Sequence, residues 1–294
     1  DIRRDDEERL AVDDIEVLAG PADQRTFDLK GRIGDLLKLS DFRLAGDVSI
    51  PTAQVIGLAT SGDAALGRLT GRFAVSDATG EAGIDTFTAK LTGSSLVSAD
   101  INLTANQTGP EETTSFDLTF DVPDYAKLAT VLGVTAEPVG AIRYKGDLTL
   151  SPHAGALEGR LNFGKMDVTG TLAVKEDKGR PLITGNISTP LLTLADARRM
   201  ISVAQSLRGL DAEAVSQQAH SQLRPVRPRF DVTVSADKVE GAGEAASSVS
   251  GRLLVDDGTV TAESFELTFD GGHFGFNGQM NVRKESRPFS AKGK

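Results

Sequence analysis

Hydrophobic and polar residues alternate with period two over most of this chain. At least eight times a glycine opens the run as Gly, any residue, apolar, any residue, then apolar or Thr. The copies are Gly46-Asp-Val-Ser-Ile, Gly71-Arg-Phe-Ala-Val, Gly146-Asp-Leu-Thr-Leu, Gly159-Arg-Leu-Asn-Phe, Gly170-Thr-Leu-Ala-Val, Gly185-Asn-Ile-Ser-Thr, Gly251-Arg-Leu-Leu-Val and Gly278-Gln-Met-Asn-Val. Period two sends every second side chain to one face of a sheet. Each copy therefore predicts a short strand with a glycine at its start, one face apolar and the other polar. Such a sheet must cover its apolar face with a second layer, a helix or an apolar ligand.

The punctuation between runs predicts a meander of antiparallel hairpins. Ser76-Asp-Ala-Thr-Gly-Glu and Asn106-Gln-Thr-Gly-Pro-Glu are turn chemistry. Residues 1–25 form a charged start, and 26–190 a β meander with a short helix at 123–133. Residues 191–228 read as a helical insertion, 229–284 as a second meander, and 285–294 as a basic, frayed tail. The short helix has Pro123 at its start and Gly133 at its end, with Tyr125, Leu128 and Leu132 on one stripe. The longer helix, near 194–222, carries Leu194, Ala197, Met200, Ile201, Ala204, Leu207 and Leu210 on one face, with Thr193 as N-cap and Asp196 three residues on. It packs on the sheet edge or acts as a lid. A turn or single helical turn is expected over Ile33–Leu39, and a short helix between Pro51 and Ala65. The fold class is mainly β: a long twisted antiparallel sheet curled into a groove, with short helices and this one longer helix. All 294 residues are treated as one segment.

Composition narrows the function. A net charge of −10 excludes the basic footprint that nucleic acid requires. There is no cysteine, which removes thiol catalysis, thiolate zinc sites and disulfides. The three histidines, His153, His220 and His273, have no partner at metal or triad spacing. Asp256-Asp-Gly reads as a hairpin turn rather than a cation loop. No glycine copy has the strand–loop–helix setting or Lys of a phosphate loop. No catalytic residue, metal set or cofactor is expected, and the chain reads as a non-enzyme. No stretch reaches the roughly 18 apolar residues of a membrane span. The abrupt charged start reads as that of an excised segment or a mature form.

Two stretches resemble the AsmA-like proteins of Gram-negative envelopes. One runs from Phe116-Asp-Leu-Thr-Phe-Asp-Val through the short helix to Arg180-Pro-Leu-Ile-Thr-Gly-Asn-Ile. The other runs from Leu254-Val-Asp-Asp-Gly through Phe265-Glu-Leu-Thr-Phe to Gly278-Gln-Met. The resemblance spans roughly residues 26–284. It implies a periplasmic protein tethered to the inner membrane by an N-terminal helix missing from this chain. It also implies a β-trough related to bridge-like lipid carriers, with phospholipid or another acyl lipid as the ligand and a role in outer-membrane homeostasis. The residues expected to line the trough are Phe73, Val75, Phe116, Leu118, Phe120, Leu148, Leu150, Leu161, Phe163, Leu172, Val174, Leu253 and Val255. The alternative for the same positions is ordinary core between sheets. The alternative for the protein is a structural or assembly module that recruits an envelope partner through its sheet edges.

Overall fold

A computed structural model describes residues 2–4, 9–21, 25–55, 63–78, 83–106, 113–133, 138–151, 154–203, 228–241, 247–257, 259–269, 271–281 and 289–293. Strands dominate, and the protein is mainly β, with few short helices among the described residues. The chain divides into two compact units, Asp1–Asp121 and Val122–Lys294.

Unit 1 is a consecutive antiparallel meander. Its strands are β1 (Ile2–Arg4), β2 (Leu10–Ala19), β3 (Phe27–Asp35), β4 (Ser40–Pro51), β5 (Arg68–Ser76), β6 (Gly83–Thr92), β7 (Ser98–Asn106) and β8 (Thr113–Val122). Each strand pairs with the next. Two short helices, α1 (Thr52–Val55) and α2 (Asp63–Leu66), fill the β4–β5 connection, where a helix is expected. Their Ala53 and Leu66 are buried.

Unit 2 begins with α3 (Tyr125–Val131), whose N-cap Asp124 accepts the Lys127 N–H at 3.2 Å. β9 (Ile142–Leu150), β10 (Ala154–Phe163), β11 (Met166–Asp177) and β12 (Arg180–Thr189) follow as hairpins. Lys178 and Gly179, with φ of 54° and 74°, make the two-residue turn between β11 and β12, where positive φ matches the strand twist. The chain then leaves the sheet through β13 (Leu192–Thr193) and α4, described over residues 194–203. It returns as β14 (Arg229–Ala236), parallel to β12. A parallel pair needs such a crossover, so the expected all-antiparallel order is broken here. β15 (Val239–Glu240) pairs with β13, and β16 (Ser248–Asp256), β17 (Thr259–Phe269), β18 (Gly272–Asn281) and β19 (Phe289–Gly293) complete the sheet.

Three further expectations change. The charged start contains a full strand, β2, hidden by a register shift between Val12 and Ile15 that breaks the alternation. The tail contains β19, paired to β18 rather than frayed. The repeat glycines lie inside their strands, not at their starts: Gly46 is in the middle of β4 and Gly159 in the middle of β10. The expected helix beyond residue 203, with Ala204, Leu207 and Leu210, lies outside the described residues, as do His153 and His220.

The glycines make room for neighbours. Adjacent strands lie about 4.8 Å apart, so β3 and β5 are about twice that distance from each other. Yet the Phe27 ring of β3 and the Phe73 ring of β5 stack at 5.9 Å. They meet above β4, where a Cβ on Gly46 would sit 2.8 Å from the Phe73 ring. At Gly251 of β16 a Cβ would fall 2.4 Å from the Phe265 ring of β17. Phe265 is aimed there by a bulge: Ser264 has φ 51°, and its N–H is taken by Asn277 Oδ1 at 2.6 Å.

The contacts at Gly251 all come from one ring, so they are separable. Gly251→Ala is expected to destabilise the fold by about 1–3 kcal/mol, as overpacking does. In a Phe265→Ala background the same change is expected to cost at least about 1 kcal/mol less. Gly271→Ala, with open space around it, is expected to stay within about 0.5 kcal/mol of the parent. Urea unfolding of the four variants checks this; equal costs in both backgrounds would show the ring is not the obstacle.

Candidate functional site

The strand registers place most of the apolar strand residues of each unit on one face. In unit 1, Val17, Leu29, Gly46, Phe73, Phe87, Leu103 and Phe116 form a row across β2–β8. The next row on the same face is Ala19, Phe27, Val48, Gly71, Ala89, Ile101 and Leu118. Between them, on the opposite face, lie Leu18, Asp28, Asp47, Arg72, Thr88, Asn102 and Asp117. Side chains point alternately up and down, so a slip of one residue in any pair would mix the two faces.

Unit 2 repeats this arrangement. One row is Leu148, Leu157, Leu172, Gly185, Val232, Leu253, Ala262 and Gly278. A second is Leu150, Gly155, Val174, Ile183, Phe230, Val255, Val260 and Met280. The opposite face carries Asp147, Glu158, Thr171, Asn186, Thr233, Arg252 and Glu263 in one line.

All thirteen sequence-selected residues fall on these apolar faces. Phe73, Val75, Phe116, Leu118 and Phe120 belong to unit 1, and the other eight to unit 2. Most are half-buried. Unit 2 grades from covered to open along its strands. At one end Phe163 pairs with Ile142 and Met166, and Phe163 and Met166 are each 2% exposed. At the other end Leu150 is 41% and Val174 39% exposed. Phe163 is thus a core residue, whereas Leu150 and Val174 face solvent.

Asp196 of α4 ties down the covered end. Thr193 Oγ1 accepts the Asp196 N–H at 3.1 Å and donates back to Asp196 Oδ2 at 2.7 Å, capping the helix as its sequence predicts. The same Oδ2 accepts the Lys165 N–H in the β10–β11 turn at 3.0 Å. Arg199 donates to Oδ1 at 3.0 Å. Burial pushes the Asp196 carboxyl up, but the donors from Lys165, Thr193 and Arg199 outweigh it and hold it below the ordinary aspartate range. Gly164, at φ 60°, leaves the space this carboxylate fills; a Cβ there would lie 2.6 Å from it.

One residue on the apolar face has chemistry that periodicity alone does not reveal. Gly146, Gly159 and Gly170 stand side by side on β9, β10 and β11. The Tyr144 phenol lies over the first two, with its oxygen 2.4 and 2.6 Å from where their Cβ atoms would be. Its hydroxyl donates to the Glu158 carbonyl at 3.5 Å. Burial, and then the Asp147 charge, raise its pKa above the usual tyrosine value. Its signal in the sequence is its position two residues before Gly146, on the same face.

The polar faces hold cross-strand ion pairs. Arg252 bridges Asp231 at 2.6 Å and Glu263 at 3.4 Å, and Arg72 meets Asp47 at 2.9 Å. Arg160 pairs with Asp167, and the hydrogen bond from Arg160 depresses the Asp167 carboxyl. A cavity of about 730 Å³ lies on the polar side of unit 1, with Arg25, Asp28, Asp47, Arg72, Lys90 and Asp100 in its wall. Phe27, Val48 and Ala89 also contribute to the wall, but the six charged side chains around it make it a poor site for an acyl chain. Among the described residues no three His, Cys, Asp or Glu side chains are placed to hold a metal ion, and no helix is long and apolar enough to cross a membrane. His273 points to the polar face of β18, opposite Thr268. No protein-family model matches the sequence, and no curated protein matches it.

The Asp196 network yields a test of the covered end. Asp196→Ala strands the Lys165 N–H and is expected to cost about 2 kcal/mol at pH 7. Because the folded carboxyl is depressed, its contribution is complete above the ordinary value of 3.8 and fades as pH falls below it. The stability gap between parent and variant, from urea titrations at several pH values, is therefore expected to stay constant from neutral pH to about pH 5 and to narrow below.

Proposed function

We propose that this protein is an AsmA-like envelope protein whose apolar sheet faces hold the acyl chains of phospholipids. The observation that carries this reading is one-sidedness. Rows of seven or eight consecutive strand positions are apolar or glycine on one face, and most of their large side chains are half-exposed. Monomeric proteins rarely leave such a continuous apolar area bare without a use for it. Each methylene moved from water onto it gains about 0.8 kcal/mol, so an acyl chain is a sufficient ligand without any charged contact. Leu, Ile, Val, Phe and Gly set no fixed length or headgroup, which suits chains of differing length. In this reading the polar cavity of unit 1 takes no part.

The cellular role follows from the family resemblance. The protein would act in the periplasm, tethered to the inner membrane through a segment outside this chain. It would bind phospholipid passing between the inner and outer membranes and so support outer-membrane homeostasis. No chemical transformation is assigned to it.

The test is native mass spectrometry with lipid extraction on protein purified from a Gram-negative envelope. Phospholipid is expected to co-purify with the parent chain. Leu161→Asp and Leu172→Asp, at half-buried positions of the unit 2 face, are expected to lower bound lipid at least about tenfold while keeping the circular-dichroism spectrum. Phe163 is unsuitable as a probe because its burial makes a charge there unfold the sheet. A folded parent chain that carries no lipid and takes none from vesicles would overturn the reading and leave the sheet-edge assembly module in its place.

A further inference from the structure

The β3–β4 hairpin tip presents leucines to water from a turn that is braced to hold them there. Leu37 is 76% and Leu39 65% exposed, with Lys38 exposed between them. Such residues ordinarily fold back or are replaced by polar ones. Here buried Asp35 accepts the N–H groups of Leu37 and Lys38, both at 3.1 Å. Asp77, following β5, accepts the N–H groups of Asp41 at 2.5 Å and Phe42 at 2.9 Å. The Leu36 N–H is taken by the Leu10 carbonyl at 2.7 Å. Leu39 itself sits at φ 52°, a costly conformation for leucine that a turn residue such as Asn adopts more readily. Neither the side chain nor the backbone at 39 is what a plain solvent-exposed turn would select.

The tip is not alone. Ile2 of β1 and Ile84 of β6 are also exposed. The registers bring Ile2 beside Val12 and Ile33, and Ile84 beside Val75 and Leu44, at the strand ends that carry the tip. Four large aliphatic side chains thus rim one end of the unit 1 sheet. Directly behind the tip, Ile33 and Phe42 pair across β3 and β4 and begin the apolar face.

We infer that this end of unit 1 dips into the interfacial layer of a phospholipid bilayer. A stable protein interface buries about 800 Å² on each partner, far more than a few aliphatic tips offer. Shallow insertion needs only a few apolar side chains and gives weak, reversible attachment. Lys38 fits that setting, since a lysine stem can lie along apolar groups while its ammonium reaches out to lipid phosphates. Its present partner, the buried Asp35 Oδ2, is 3.7 Å away, a long contact from an ammonium that is itself exposed to solvent. The use of this attachment rests on the acyl-chain reading: a lipid leaving the bilayer would meet Ile33 and Phe42 first. The attachment itself has its own readout.

That readout is flotation with vesicles of phosphatidylethanolamine and phosphatidylglycerol. The parent chain is expected to float with the vesicles. The double variant Leu37→Ser, Leu39→Asn is expected to bind about a hundredfold more weakly, roughly tenfold for each leucine. Both positions are exposed and Asn accepts positive φ, so the fold is kept. Because the chain has no cysteine, Leu37→Cys takes a polarity-sensitive dye at one place, and its emission is expected to shift blue on adding vesicles. Leu161→Asp should float like the parent even where it loses bound lipid, which separates this inference from the acyl-chain reading. A parent chain that does not float, a double variant that floats equally well, or a dye that shifts only when envelope proteins are added would each overturn it.

Discussion

Everything in each unit depends on keeping two faces of one sheet apart. A strand cannot choose the face of a single side chain; it can only choose its register, and the pleat then sorts the whole strand. The row from Val17 to Phe116 stays apolar through seven strands because all six pairings between them hold the same parity. Where parity would be lost, a bulge restores it. The shift between Val12 and Ile15 absorbs Asp13 and Asp14, and the shift between Ala262 and Phe265 absorbs Glu263 and Ser264. The bulges are thus corrections that let a long sheet remain one-sided. The polar face contributes to the same end: Arg252 held by Asp231 on one side and Glu263 on the other joins three successive strands in one register.

The repeat glycines belong to the same constraint. By parity they stand on the apolar face with the residues two and four positions on. A face filled by Leu and Phe at every site would be crowded, and glycine relieves that by letting a ring from the same or the next strand lie down. Phe73 over Gly46, Phe265 over Gly251 and Tyr144 over Gly146 and Gly159 are three cases of one device. The result is a low, smooth apolar surface rather than an upright brush of side chains. Glycine costs strand stability, and the covering ring returns part of it as buried area.

Much of this was legible in the sequence. Alternation located the strands, and the thirteen selected positions share a face because parity along a strand is a sequence property. Thr193 and Asp196 marked the start of α4 because capping is local chemistry. What escaped was non-local or irregular. β2 was masked by Asp13 and Asp14 in its bulge, and β19 by a basic composition that says nothing about pairing. The burial of Phe163 against the exposure of Leu150 depends on which strand end α4 and Asp196 reach. The exposure of Leu37 and Leu39 was invisible for a different reason. A short apolar run does not say whether it turns inward, and here two carboxylates brace the turn, Asp35 within it and Asp77 distant in sequence.

The parallel pairing of β12 with β14 has a consequence for how unit 2 comes together. β9 to β12 are joined by hairpins, and β14, β16, β17 and β18 are neighbours in chain order. Each of those blocks can zip from short loops, at little entropic cost for each closure. The β12–β14 seam, with the short β13–β15 pair beside it, must wait for the chain to travel through α4 and come back in the same direction. Contacts of that span are the slow ones in β proteins. By span alone the seam is expected to be the late join of unit 2, and until it closes the β12 edge of one block and the β14 edge of the other lack each other as partners.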